Sequence, residues 1–333
     1  MEAERRSLQI GAVVVTGAIL FRLLSGGALT SIAQVFAQPE VASFMLYLET
    51  GRVIRPAQTQ TPAPVIPEET EPAQPETQPP AVFTEEDAQT VEVLNYNGYE
   101  ADLEELITRP LSWNLKQDVP TVLILHTHGT ESYTKTEDYT ESSAYRTLDE
   151  DYNVVSVGTY LARLLEEQGI RVIHDKTLHD YPDFDGSYDH ARASIKDYLE
   201  KYPEICLVLD LHRDAVELKN GQQFRGTVST EKGTSAQLMM VVGTDAGGLH
   251  HPNWEENMSL AVKLHAQLEK TAPGICRSIS FRTQRFNQDL CPGGTLIEVG
   301  AAGNTRQEAL LAAEYLADAI VALAGGSTAN STS

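Results

Sequence analysis

Short apolar segments alternate with segments of helical periodicity from residue 119 to near the end of the chain, and this alternation restricts the fold more than any other feature. The segments that predict strands read TVLIL, IRVI, CLVLD, QLMMVV, ICRSISF and TLIEV. NVVSVGTYLARLLEEQG repeats apolar residues at helical spacing, and three later segments do the same. The alternation predicts an α/β fold in which a mostly parallel sheet carries helices on both faces. In such sheets ligands bind beyond the carboxyl ends of the strands.

Two helix boundaries are marked by local residue patterns. Gly169 follows the first predicted helix and is typical of a C-terminal stop. Thr305 with Glu308 forms a capping-box pattern, which predicts the start of the last helix.

The N-terminal segment differs in kind from the rest. Arg5 and Arg6 precede an apolar run over residues 8–21, and Arg22 follows it. If Arg22 extends its charge to the interface, the run becomes long enough to cross a bilayer, with the positive flank inside. We expect residues 1–54 to form an uncleaved single-pass membrane anchor and juxtamembrane segment, with the remainder exported. A signal peptide cleaved near Ala37 is the alternative.

The next segment has the composition of a linker. Half of the 16 prolines fall between residues 55 and 87, together with many Gln, Thr and Glu. Such a segment buries too little apolar surface to fold, so residues 55–90 are predicted to be a disordered, Pro/Glu/Thr-rich linker. The predicted catalytic domain then covers residues 91–325, and 326–333 form a disordered tail.

The charge balance excludes one class of partner. The chain has 25 Lys and Arg against 47 Asp and Glu, a formal net charge of −22. A basic footprint for nucleic acid is absent, so DNA or RNA is not expected as a partner.

Polar residues follow three of the predicted strands at their carboxyl ends. TVLIL leads into HTHGTES with His126 and His128, CLVLD leads into LHRDA with His212, and TLIEV carries Glu298. If these strands are neighbours in the sheet, the side chains converge on one crevice. An unpaired carboxylate in a buried strand is costly, which makes Glu298 the strongest single indication of function.

The spacing of these residues is compatible with a catalytic zinc site. Such sites use three nitrogen or oxygen ligands and leave one position open. His128 and Glu131 have the H-x-x-E spacing, and His212 would be the third, distant ligand. Glu298 would then act as the general base.

Other residues are alternatives for parts of this site. His126 could orient His128 or hold the loop without binding the metal, or it could be purely structural. Arg213 could contact the ligands. A carboxylate among residues 149–151, represented by Asp149, is the rival to Glu131 as the acidic ligand.

The motifs resemble those of the stage II sporulation protein P family. They are HTHGTESY, the NVVSVGTYLARLLEEQGIRVIHD segment with HDYPDFDGSY, LVLDLHRDA, HPNW and GGTLIEVGAAGNTRQEA, in the order of the family and over roughly residues 119–325. The more distant resemblance is to zinc-dependent N-acetylmuramoyl-L-alanine amidases, in which the acidic ligand begins the first helix. That position corresponds here to residues 149–151, whereas Glu131 follows the arrangement of zinc carboxypeptidases.

The resemblance implies a peptidoglycan hydrolase that requires Zn²⁺ and cleaves the N-acetylmuramoyl-L-alanine amide, with endopeptidase action on stem-peptide cross-links as an additional activity. It implies work at the cell membrane, in the space between mother cell and forespore. The implied partners are the sporulation protein D lytic transglycosylase and the sporulation protein M membrane protein. The competing hypotheses are a metallocarboxypeptidase or endopeptidase and a metal-free module that binds peptidoglycan and recruits another hydrolase.

Overall fold

The structure is a computed structural model that describes residues 79–111, 113–142 and 144–325. The predicted anchor over 1–54, most of the predicted linker and the predicted tail lie outside the described residues. Within the described ranges, none of the helices combines the length and apolar character that crossing a bilayer requires.

The nine described strands are β1 Val93–Asn95, β2 Val122–Leu125, β3 Val172–His174, β4 Leu207–Asp214, β5 Thr227–Thr230, β6 Gly233–Ala236, β7 Leu238–Val242, β8 Ile279–Phe281 and β9 Gly294–Ala301. Seven of them form one sheet in the order β1-β8-β7-β9-β4-β2-β3, and β5 and β6 form a hairpin. Every pairing in the large sheet is parallel except that of β7 with β9. The predicted mostly parallel sheet is therefore confirmed.

Five α-helices lie within the described residues and pack around the sheet. They are α1 Leu103–Thr108, α2 Val154–Glu167, α3 Ser187–Lys201, α4 Trp254–Thr271 and α5 Arg306–Ala324. The main apolar core includes Val122 and Ile124 of β2 and the buried faces of α2, α4 and α5. Leu123 and Leu125 point the other way and pack with Ala191 and Ile195 of α3. Alternation along β2 thus supplies apolar side chains to cores on both faces of the sheet, and α3 contributes to the one that contains Leu123 and Leu125.

The helix ends follow local chemistry. The Asn153 side chain accepts a hydrogen bond from the backbone N–H of Val155, which caps α2, and Gly169 beyond its end has a φ of 78°. The predicted capping box of Thr305 and Glu308 is present at the start of α5. Both predicted boundaries are confirmed.

The folded region begins before the predicted linker boundary at residue 90. The Ala81 N–H donates to the Ala322 carbonyl, and a 3₁₀ helix, Glu85–Thr90, follows. Phe83 is buried, with the ammonium of Lys270 4.9 Å from its ring centroid. Burial of the Phe83 ring holds this polar segment against the domain, although the composition of the segment alone predicted a linker.

Candidate metal centre

The three strands that carry the predicted site residues are adjacent in the sheet. β4 lies between β9 and β2 and is parallel to both. Their carboxyl ends therefore lie at one edge, as the convergence hypothesis requires. His212 pairs in register with Glu298, so these two side chains stand side by side on the same face of the sheet.

His128, Glu131 and His212 form a compact cluster. Nδ1 of His128 lies 3.4 Å from Oε1 of Glu131, and Nδ1 of His212 lies 3.5 Å from Oε2 of the same carboxylate. One potential ligand atom from each residue lies within 4.8 Å of the other two. Zn–N and Zn–O bonds of about 2.0–2.1 Å at tetrahedral angles separate ligand atoms by about 3.3–3.4 Å. The two-histidine, one-carboxylate donor set, with each imidazole close to one oxygen of the carboxylate, therefore fits a zinc ion.

Backbone interactions place Glu131 beside the two histidines. Its N–H donates to the His128 carbonyl in the turn that leaves β2, and its own carbonyl accepts from Val154 at the start of α2. Burial opposes ionisation, but His128 and His212, together with the charge of Arg213, hold the pKa of Glu131 well below its usual range. The carboxylate is thus ionised and directed at the imidazoles.

A second carboxylate lies behind His212. Oδ1 of Asp210 is 3.0 Å from Nε2 of His212, a close ion-pair approach without well-aligned hydrogen-bond geometry. Thr127 donates to Asp210 through its N–H at 2.8 Å and its hydroxyl at 2.6 Å. Burial alone would lower the pKa of His212, but Asp210 and then Glu131 raise it well above its ordinary value. With Nε2 facing Asp210, Nδ1 is the nitrogen presented to the cluster.

Sequence reasoning missed Asp210, although a signal was present. In LDLHRDA, residues 210 and 212 are two apart on a strand, so their side chains share a face. An acidic residue at that spacing from a proposed histidine ligand is a candidate partner for its second nitrogen.

Glu298 is the least satisfied carboxyl beside the cluster. Its Oε2 is buried and has no hydrogen-bond partner among the described residues. Burial raises the pKa of Glu298 to about 8, opposed by the charge of His212 and reinforced by that of Glu131. A carboxyl group that changes protonation near neutral pH can accept and return a proton.

The three alternative residues lie in different places. Asp149 is exposed in a turn, where its carboxylate accepts the Asp151 N–H, and it does not join the cluster. His126 faces α2 rather than the cluster: its Nδ1 donates to the Leu211 carbonyl at 3.0 Å, and its Nε2 is 2.9 Å from His174.

Arg213 is buried against the cluster. Its backbone N–H donates to Oε2 of Glu131 at 3.1 Å, and its guanidinium donates to the carbonyls of Ser132 and Tyr145. Arg213 therefore links the Glu131 carboxylate to the backbone of Ser132 and Tyr145 in the loop that follows Glu131.

The loop that ends at α3 covers the other side of His128. The Phe184 ring stacks on the imidazole with centroids 4.8 Å apart, and the Tyr188 ring meets it edge-on at 5.5 Å. Arg146 lies 4.5 Å from the Phe184 centroid and 3.6 Å from Oε1 of Glu131. The sequence motif HDYPDFDGSY contains both aromatic residues, but nothing in their spacing predicted contact with His128.

These features define a class of protein: a mixed α/β domain whose parallel strand ends carry a two-histidine, one-glutamate candidate metal centre beside a buried carboxyl group. A family model described as Stage II sporulation protein P (SpoIIP) matches residues 36–321. The chain belongs to this family.

The chain is similar to a curated sporulation protein and to solved structures of N-acetylmuramoyl-L-alanine amidases. Stage II sporulation protein P of Bacillus subtilis (strain 168) is 32% identical over 214 residues, which cover 60% of this chain and 50% of that protein. The chain therefore matches about half the length of this curated relative. Among solved structures, the N-acetylmuramoyl-L-alanine amidase of Clostridium difficile 630 aligns with 16% identity and a TM-score of 0.38, covering 62% of this chain and 96% of that one. The amidase AmiC2 of Nostoc punctiforme aligns with 13% identity and a TM-score of 0.36, covering 60% and 94%. At this similarity the two structures do not assign residue roles.

Proposed function

We propose that this chain is a peptidoglycan hydrolase of sporulation, and that it is a zinc-dependent amidase acting on the N-acetylmuramoyl-L-alanine bond. The observation that carries the proposal is the cluster of His128, Glu131 and His212 with the buried carboxyl of Glu298 beside it. Membership of the Stage II sporulation protein P family supports the biological setting. On the resemblance to the same family, we also propose cleavage of stem-peptide cross-links as an additional activity.

Each residue has a separate task in this proposal. His128, Glu131 and His212 would hold the zinc ion, which when bound supplies Lewis-acid polarisation of the amide carbonyl and acidifies water. Glu298 accepts a proton from the attacking water and transfers it to the leaving nitrogen. Asp210 holds the His212 ring with Nδ1 toward the cluster. Arg213 fixes Glu131 through its backbone N–H.

The location and partners extend the proposal. Residues 1–54 would anchor the chain as a single membrane span, with the catalytic domain on the extracytoplasmic side between mother cell and forespore. Arg5, Arg6 and the apolar run over 8–21 support the anchor. The sporulation protein D lytic transglycosylase and the sporulation protein M membrane protein are proposed as partners on family resemblance.

Metal content and product analysis together test the activity. The purified full-length chain should contain about one zinc per molecule, which Glu131→Ala should lose and Asp149→Ala should retain. On purified sacculi, mass analysis should detect intact stem peptides and peptide-free glycan strands, and a chelator should stop their release.

Each contrary outcome selects a different hypothesis. Products cut only within the peptide would replace the amidase with an endopeptidase. Sacculus binding without cleavage, unaffected by chelator, would indicate a metal-free binding module. If Asp149→Ala loses zinc and Glu131→Ala retains it, the acidic ligand lies at the start of the first long helix rather than at Glu131.

A further inference from the structure

A cavity of about 410 Å³ is lined in part by Tyr188, whose ring contacts His128 of the candidate metal centre. Its volume is in the range of small-molecule binding sites. The lining residues that matter for its chemistry are Tyr188, Asp189, Leu249, Arg285 and Phe286. Most of the wall is apolar, and Arg285 is the one cationic residue that the described part of the chain contributes to it.

Aromatic side chains connect the lining of the cavity with the candidate metal centre. The Tyr188 ring meets His128 edge-on on one side and lies 6.0 Å from the Phe286 ring on the other. Phe286 packs on a small apolar cluster of the sheet that includes Met239. Met239 is the register partner of Glu298 on the neighbouring strand. The cavity lining therefore includes one side chain in contact with His128 and another that packs on the cluster containing the register partner of Glu298.

Two loops form the outer wall by close backbone contact. A Cβ atom on Gly243 would lie 2.0 Å from the Gln284 carbonyl oxygen, and one on Gly247 would lie 2.6 Å from that of Thr283. The Gly247 N–H also donates to the Thr283 carbonyl at 3.0 Å. Only glycine permits this approach, so these two glycines allow the loops to pack directly against each other.

The wall contains two consecutive non-glycine residues in the left-handed region. Phe286 has a φ of 50° and Asn287 a φ of 59°. The Asn287 side chain donates to the Tyr188 carbonyl at 2.9 Å and accepts from Arg192 at 3.2 Å, which holds the turn in place. For a bulky residue such as Phe286 this backbone conformation is costly, and such costs concentrate where a side chain must be presented to a ligand.

Arg285 has unused hydrogen-bonding capacity. Its one ion pair among the described residues is with Asp289, at 3.5 Å. Arg192 already binds that carboxylate with two hydrogen bonds, at 2.8 and 2.6 Å. The carboxylate on the cavity lining, Asp189, is exposed, and its charge adds to that of Asp289 in raising the pKa of Arg192. The Arg285 side chain is one quarter exposed, and its guanidinium therefore has donors for a bidentate contact with a carboxylate of a ligand.

We infer that the cavity is a substrate subsite for a short peptide that carries a free carboxylate, with Arg285 as the residue that recognises the carboxylate and Phe286 and Tyr188 as its apolar walls. This inference rests on the proposed function, because in uncleaved peptidoglycan the stem peptide carries free carboxylates, whereas the glycan of alternating N-acetylglucosamine and N-acetylmuramic acid is neutral where the lactyl carboxyl is amide-linked to the peptide. It assigns the peptide side of the scissile amide to the cavity.

Binding of defined probes to the full-length chain, with metal removed by a chelator, tests the subsite without requiring catalysis. The probes are the tripeptide L-alanyl-γ-D-glutamyl-diaminopimelate, the same tripeptide with its carboxylates amidated, and the neutral disaccharide di-N-acetylchitobiose. Arg285→Gln should weaken binding of the carboxylate tripeptide about tenfold or more, and Arg285→Lys should restore part of it. The matched control is Arg282→Gln, which removes the same charge three residues away, where Arg282 packs on Tyr96 outside the cavity.

Amidation of the peptide should reduce affinity for the parent and make little further difference in Arg285→Gln, because both changes remove the same contact. Equal tripeptide affinity in the parent and Arg285→Gln, no tripeptide binding, or displacement of the tripeptide by the disaccharide would each overturn the subsite. Digestion of sacculi separates the two proposals. Tripeptide binding that depends on Arg285 without any digestion would refute only the hydrolase, and digestion whose KM is unchanged in Arg285→Gln would refute only the subsite.

Discussion

Replacing Glu298 with Gln retains the shape of the side chain and removes its ability to ionise, and the consequence for stability can be calculated. In the metal-free chain the pKa of Glu298 is raised from 4.5 to about 8, mainly by burial. The unfolded chain therefore releases this proton near pH 4.5 while the folded chain retains it. Over that interval the free energy of unfolding of the parent falls as the pH rises.

At about 1.4 kcal/mol per pH unit, the parent loses about 3 kcal/mol between pH 4.5 and pH 7 because of this residue. Glu298→Gln lacks this loss, so its stability relative to the parent should rise by about 3 kcal/mol over the same interval. Any constant cost of burying the amide cancels, because the prediction concerns the change with pH. The same variant should retain zinc and lose hydrolysis, since only the proton-transferring group has been removed.

Urea unfolding of the full-length chain in chelator, followed at pH 4.5, 5.5 and 7, measures the effect. Glu200→Gln, on the exposed side of α3, is the control and should follow the parent at each pH. Parallel stability profiles for Glu298→Gln and the parent would refute the raised pKa. Digestion of sacculi at the parental rate by Glu298→Gln would refute its role as the base.

Two further substitutions test other parts of the structure. Asp210→Asn removes the negative charge 3.0 Å from His212 and should weaken zinc binding by about 10–100-fold in competition with a chelator; unchanged affinity would show that Asp210 does not support the cluster. Gly243→Ala places a Cβ atom 2.0 Å from the Gln284 carbonyl oxygen, so backbone must move and the chain should be destabilised by about 3 kcal/mol or more in thermal unfolding. A melting temperature equal to that of the parent would contradict the close contact of the two loops.

Some sequence patterns led to correct predictions because they depend on local interactions. The strand segments, the end of the first long helix at Gly169 and the capping box of Thr305 and Glu308 are all determined by residues within a few positions of each other. Parallel pairing of most strands followed from the alternation with helices. The antiparallel placement of β7 did not, because a hairpin rather than a helix precedes it, and this removes the usual constraint on strand direction.

The sequence by itself determined which residues could carry chemistry: two histidines, a nearby glutamate and a carboxyl in a buried strand, each at a strand end. It did not decide between Glu131 and Asp149 as the acidic ligand. Glu131 follows His128 at the H-x-x-E spacing, whereas Asp149 lies near the start of the first predicted helix. Only the turn after β2 and the neighbouring β4 bring the Glu131 carboxylate between His128 and His212. The contribution of Asp210 and the cavity beside Phe286 and Arg285 were likewise decided by tertiary structure. The physical reason is that ligand geometry, burial and unsatisfied charge depend on distances between segments far apart in the chain, and those distances exist only once the sheet has assembled.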